Sequence, residues 1–148
     1  MAIDRTQVKV RRVKFEDYRD VINEIHTDSF EDPPRLSGDG WWWVAFHDNK
    51  PVGFAGLQPS NQWELTGYLY RAALTWEARG LRLQRRLIAA RIAKARKLGW
   101  HWLVTDTYSN PASANNLIAM GFRLYQPKRP WAAKGSLYWR MCLLKGMR

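Results

Sequence analysis

The chain has 148 residues, a formal net charge of +11, 46% hydrophobic residues and nine tryptophans. This is a globular composition, and the length suits one domain over residues 1–148 whose core needs neither disulfide nor metal. The single cysteine, Cys142, excludes an internal disulfide and suits a reducing compartment, and His26, His47 and His101 lack ligand spacing, so no metal is expected. Residues 1–12 hold no apolar segment of the secretory kind and no apolar run approaches a membrane span. A cytoplasmic protein, monomer or homodimer, with no membrane partner is the expectation.

Val8 to Val13 alternates loosely and predicts a first strand. Lys14 to Thr27 predicts a helix with Phe15, Tyr18, Val21, Ile22 and Ile25 on one face. Asp28 to Gly40, which contains Pro33-Pro34 and a Gly-Asp-Gly tract, reads as a loop. Trp41 to Phe46 and Val52 to Leu57 predict a hairpin about a turn at Asp48-Asn49-Lys50. A polar loop then leads into a strand over Glu64 to Leu74. The chain breaks at Thr75 to Ala78, turns at Arg79-Gly80, and continues as a basic helix to Leu98, with Gly99 as C-cap. Trp102 to Asp106 reads as a buried strand. Ser109 or Asn110 caps the next helix, with Pro111 at its first position and Gly121 at its end. A short strand over Phe122 to Tyr125, a basic loop and a last strand over Leu137 to Leu144 complete an α/β chain, a mixed sheet with helices on both sides.

The charge is unevenly spread. Glu16, Asp17, Asp20, Glu24, Asp28, Glu31, Asp32 and Asp39 crowd one stretch, whereas residues 79–97 carry eight Arg and Lys and no acid. A strand, a glycine turn and a helix start leave free backbone N–H groups and the positive end of a dipole together. Arg79, Arg82, Arg85 and Arg86 fall at that place, a combination suited to phosphate; the plain alternative is a solvated basic helix. Arg91 falls inside the apolar arc of Leu83, Leu87, Ile88, Ile92, Ala95 and Leu98. Its stem is expected to be buried, with the guanidinium snorkelling or paired with an acid.

The segment from Ala78 to Ile88 resembles the acyl-CoA-binding turn of the GNAT N-acetyltransferase superfamily, Arg/Gln-x-x-Gly-x-Gly/Ala. Arg79 fills the first position, Arg82 the first glycine position and Gln84 the last, while Gly80 supplies a glycine two places earlier. A second segment, Asn110 to Phe122, is similar to the superfamily's Asn-x-x-Ala/Ser … Gly-Phe helix. The resemblance implies a mostly antiparallel sheet whose fourth and fifth strands splay apart around acetyl-CoA or another acyl-CoA. Carried over residue by residue, Ala72, Ala73 and Leu74 would meet the pantetheine arm. The backbone of Leu81, Arg82, Leu83, Gln84 and Arg85, beside Arg79 and Gly80, would face the phosphates. Asn110, Ser113 and Asn116 would lie along the arm or thiol end.

The implied reaction is direct transfer of an acyl group, acetyl in the first instance, to a primary amine on a small molecule, peptide or protein. Relatives use a glutamate on the fourth strand as base and a tyrosine on the later helix as acid. Here Tyr68 and Leu117 occupy those positions. Glu64, four residues before Tyr68, is expected on the same strand face and would act through Tyr68 and water. Tyr108 and Tyr125 are further candidate acids, and a backbone N–H near Leu74 the oxyanion donor. Asp28, Glu31 and Asp32 would hold a cationic acceptor, walled by Trp41, Trp43 and Trp131. The competing class is a catalytically degenerate binding module of the same fold for nucleic acid or another polyanion. It is less favoured, because no such motif is present and the charge gathers where a CoA phosphate needs it.

Overall fold

A computed structural model describes residues 2–30 and 36–144. Seven strands, β1 (Lys9–Val13), β2 (Trp41–His47), β3 (Lys50–Pro59), β4 (Thr66–Leu74), β5 (Trp102–Thr107), β6 (Arg123–Tyr125) and β7 (Leu137–Cys142), form one sheet in the order β1-β2-β3-β4-β5-β7-β6. Every neighbouring pair is antiparallel except β4 and β5, which run parallel. Among the described residues three α-helices, α1 (Phe15–Ser29), α2 (Leu83–Lys97) and α3 (Pro111–Ala119), cover it.

The period of a strand decides which residues meet which helix. Trp42 and Val44 turn towards α1 and pack with Phe15, Ile22, Ile25, Phe54 and Ala73. Trp43 and Ala45 turn the other way, into a larger core with Leu83, Leu87, Ile88, Ile92 and Ala95 of α2, Leu117 of α3, and Leu69, Leu74, Leu103 and Trp139 of the sheet. Trp42 fits because its partner across the strands is Gly56, where a Cβ would stand 3.0 Å from the Trp42 ring. The indole N–H of Trp42 donates to the carbonyls of Gly38 and Asp39.

The helix ends follow the chemistry read from the sequence. Asn110 caps α3 by accepting from the Ser113 N–H at 3.0 Å. Gly99, at φ +76, closes α2: its N–H reaches the Arg96 carbonyl and that of Trp100 reaches Ala95. This paired 5→2 and 6→1 pattern is the Schellman motif, which needs the left-handed residue glycine supplies. α3 ends the same way, at Gly121 and Phe122.

Two expectations are corrected. The fourth strand begins at Thr66, not Glu64: Glu64 and Leu65 form a turn, Leu65 has φ +51, and Glu64 is exposed. Arg91 neither snorkels nor pairs with an acid; it is 3% exposed, and among the described residues the only salt bridges are Arg19–Glu16 and His47–Asp48.

Candidate active site

The sheet comes apart at its centre. β4 and β5 pair only at Thr66–Trp102, Gly67–Leu103 and Tyr68–Val104, although β4 runs on to Leu74 and β5 to Thr107. The Thr105 hydroxyl, donating to the Leu69 carbonyl at 3.2 Å, is a last link before the strands diverge. On its other side β4 carries a bulge, since Tyr70 and Arg71 together oppose the single residue Gly56. Thr75 N–H donates to the Val52 carbonyl, so by alternation Ala73 also faces β3. The N–H and C=O groups of Ala72 and Leu74 therefore face the gap, and they can pair with an extended amide-bearing arm. Ala73 does not join them: its side chain lies in the α1 core and its backbone faces β3.

At the open end of the gap, the turn into α2 gathers the cations. Arg79 donates to the Leu74 carbonyl at 3.4 Å and to the Ser29 hydroxyl at 3.2 Å, and lies over the exposed Trp76 ring. Arg85 donates to the Asn116 side chain at 3.1 Å, which ties α2 to α3. Leu83 is core; Leu81, Gln84 and Ser113 are half-buried. Asn110, expected along the cofactor arm, spends its side-chain oxygen on the helix cap.

Gly80 has φ +80, and Arg82, the residue at the N-cap of α2, has φ +60. A left-handed conformation at a residue with a Cβ is strained. Arg82→Gly is therefore expected to raise stability by up to about 1 kcal/mol, while weakening acyl-CoA binding severalfold through loss of a cation. Denaturation midpoints and calorimetry read the two effects separately. A variant less stable than the wild type would show that this turn is not strained.

The other rim of the gap lies on the α1 face. Tyr68 donates its hydroxyl to Asp106 Oδ1 at 3.2 Å. Burial, then the Asp106 charge, keeps that hydroxyl protonated far above the usual phenol range. Burial likewise raises the Asp106 carboxyl, with the Tyr68 hydrogen bond and the Arg71 charge opposing. Tyr70 lies beside Tyr68, with ring centroids 6.1 Å apart, and Trp131 meets Tyr68 edge-on at 5.7 Å and Tyr138 at 4.9 Å. Strand pairing fixes this assembly: Tyr68 stands opposite Val104, so Asp106 is the next residue along β5 on the same face.

Asp106 is the functional candidate that sequence reasoning passed over, and the alternation of β5 was the signal that could have found it. The expected acceptor wall does not assemble. Trp43 is buried in the α2 core, and Trp41 packs on Trp100 with Lys94 over its ring. Asp28 is exposed on α1, across the sheet from both. Glu31 and Asp32 lie outside the described residues. Trp131 does border the site. Tyr108 is 60% exposed, and Leu117, at the acid position of relatives, is core.

Diverging parallel strands, a bulged fourth strand and a cationic helix start form the architecture of an acyl-CoA-dependent transferase. The acetyltransferase (GNAT) family model matches residues 8–122, and the chain belongs to that family, whose members use acetyl-CoA. Solved structures agree in fold. An N-acetyltransferase from Staphylococcus aureus Mu50 aligns with a TM-score of 0.75 at 17% identity, over 93% of this chain and 99% of its own. A putative acetyltransferase from Salmonella typhimurium, solved with its cofactor acetyl-CoA, gives 0.75 at 16%, over 96% and 97%. A ribosomal-protein-alanine N-acetyltransferase from Brucella melitensis gives 0.71 at 18%, over 90% and 99%. A comparison with curated proteins finds no match. Among the described residues no helix is long and apolar enough to cross a membrane.

Proposed function

We propose that the protein transfers acetyl from acetyl-CoA to a primary amine by direct attack, with the Tyr68–Asp106 pair removing the amine proton. The observation that carries this reading is the half-buried tyrosine–carboxylate hydrogen bond on the rim where β4 and β5 part. The gap-facing N–H groups of Ala72 and Leu74 and the cations Arg79, Arg82 and Arg85 fit the cofactor's amide arm and phosphates. When bound, acetyl-CoA supplies an already activated thioester, so positioning and polarisation supply most of the acceleration.

The raised pKa excludes Tyr68 as a free base, but not as a relay. Its oxygen can accept the proton leaving the amine nitrogen while its own proton passes to Asp106 Oδ1. The carboxylate ends protonated, the nitrogen neutral, and the phenol unchanged. A half-buried carboxylate held by Tyr68, whose ring is flanked by Tyr70 and Trp131, also favours an acceptor that arrives as a cation. A covalent acyl-enzyme is not favoured, because Cys142 pairs with Trp102 at the closed end of the strands, four residues and about 13 Å along β5 from Asp106.

The test is a thiol-release screen with acetyl-CoA and a panel of polyamines, amino acids, aminoglycosides and basic peptides. With any acceptor that turns over, Tyr68→Phe is expected to slow transfer about tenfold or more, and Glu64→Gln to stay within about twofold. The reverse pattern would return the proton to Glu64. Absence of calorimetric binding of acetyl-CoA by the wild type would sink the assignment.

A further inference from the structure

Arg91 is the buried charge that the proposed chemistry leaves unused. It is 3% exposed in the middle of α2, and burial pulls its pKa down to about 9. A bare guanidinium is costly to bury, so its hydrogen bonds must offset that cost. Nε donates to the Leu87 carbonyl, one turn back in its own helix, at 3.1 Å. Nη1 donates to the carbonyls of Gly56 and Tyr70, both at 3.3 Å.

Gly56 and Tyr70 are the two sides of the β4 bulge. A bulge leaves ladder groups without their ordinary partners, and a buried carbonyl without a donor is expensive. Arg91 supplies the donor to both strands at once. It also fastens the bulge to α2, the helix with Arg82 at its N-cap and Arg85 in its first turn. The bulge, in turn, determines that Ala72 and Leu74, rather than Arg71 and Ala73, present their backbone to the gap. One side chain in the middle of α2 thus ties that helix to both sides of the bulge in the strand whose backbone faces the gap.

We propose that Arg91 is a positioning residue, whose guanidinium clamps the β4 bulge and so aims the Ala72 and Leu74 N–H groups at the bound thioester and its arm. The consequence for catalysis rests on the transferase reading above; the clamp itself does not.

The test uses Arg91→Met, which fills the volume without donors, and Arg91→Lys, which keeps the charge and gathers three N–H donors on one nitrogen. Amide hydrogen exchange is followed without cofactor, so this arm stands even if the wild type binds no acyl-CoA. Exchange at Tyr70 to Leu74 is expected to accelerate at least tenfold in Arg91→Met, against little change in α1 and β2. Arg91→Lys should recover part of that protection. In turnover, kcat should fall about tenfold or more, with the acceptor KM within about twofold. Uniform acceleration across all elements, or exchange and kcat both within twofold of wild type, would overturn the proposal. If neither variant folds, the wild-type Arg91 Nε–H resonance decides. It should shift on saturation with CoA, and an unmoved resonance would overturn the clamp's link to the site.

Discussion

Asp106→Asn is expected to lower kcat about a hundredfold while leaving the fold intact and more stable near neutral pH. Asparagine keeps an oxygen for the Tyr68 hydroxyl to donate to, but it cannot take the proton that the relay delivers. The stability gain has a definite pH dependence. Burial raises the Asp106 pKa in the folded state, so the folded protein holds this proton more tightly than the unfolded chain. Stability from that proton is present in acid and lost as pH rises through the folded pKa. The advantage of asparagine should therefore be absent at low pH and fully developed at neutral pH, as read from urea midpoints. In the wild type kcat/KM should rise with pH as Asp106 ionises, above the usual carboxylate range, and that limb should vanish in the variant. A variant as active as wild type would remove Asp106 from the proton path.

Reversing Arg79 and Arg85 together to glutamate is expected to weaken acetyl-CoA binding at least about a hundredfold at low salt, because two charge-assisted contacts to a diphosphate become repulsive. The deficit should narrow as ionic strength rises. Arg96→Glu with Lys97→Glu gives the control: both are exposed at the far end of the same helix. Calorimetry should find the control within a few-fold of wild type. Equal losses in the two pairs would mean that the net charge of +11, and no built site, attracts the cofactor.

Local chemistry made much of this legible in the sequence. Gly99, Asn110 with Pro111, and Gly121 mark helix ends whose geometry depends on the residue itself, and the observed caps follow them. The basic turn was visible because Arg79, Arg82 and Arg85 are close in sequence as well as in space. The acceptor side was not visible in this way. Tyr68 and Asp106 are 38 residues apart, and only the parallel register of β4 with β5 brings them together. Glu64 was misplaced because the alternation of Glu64, Thr66 and Tyr68 continues through Leu65, whose left-handed backbone breaks the strand without a glycine to announce it. Trp41 and Trp43 were misassigned for a related reason: a tryptophan suits a pocket wall and a buried core equally well, and the face of β2 decides.

The three consecutive tryptophans carry a further consequence for how the chain finds its fold. Ordinarily the alternation of oily and polar residues makes a one-step slip between strands self-correcting, because a slipped strand shows its oily side to water. β2 has no such safeguard. Both of its faces are covered, and a slip replaces one tryptophan with another. The information that singles out the native alignment is held by the partner strand, in the missing side chain of Gly56, and by the two carbonyls just upstream that receive the Trp42 indole. Fidelity here is stored in an absence and a pair of oxygens, outside the residues whose placement they decide.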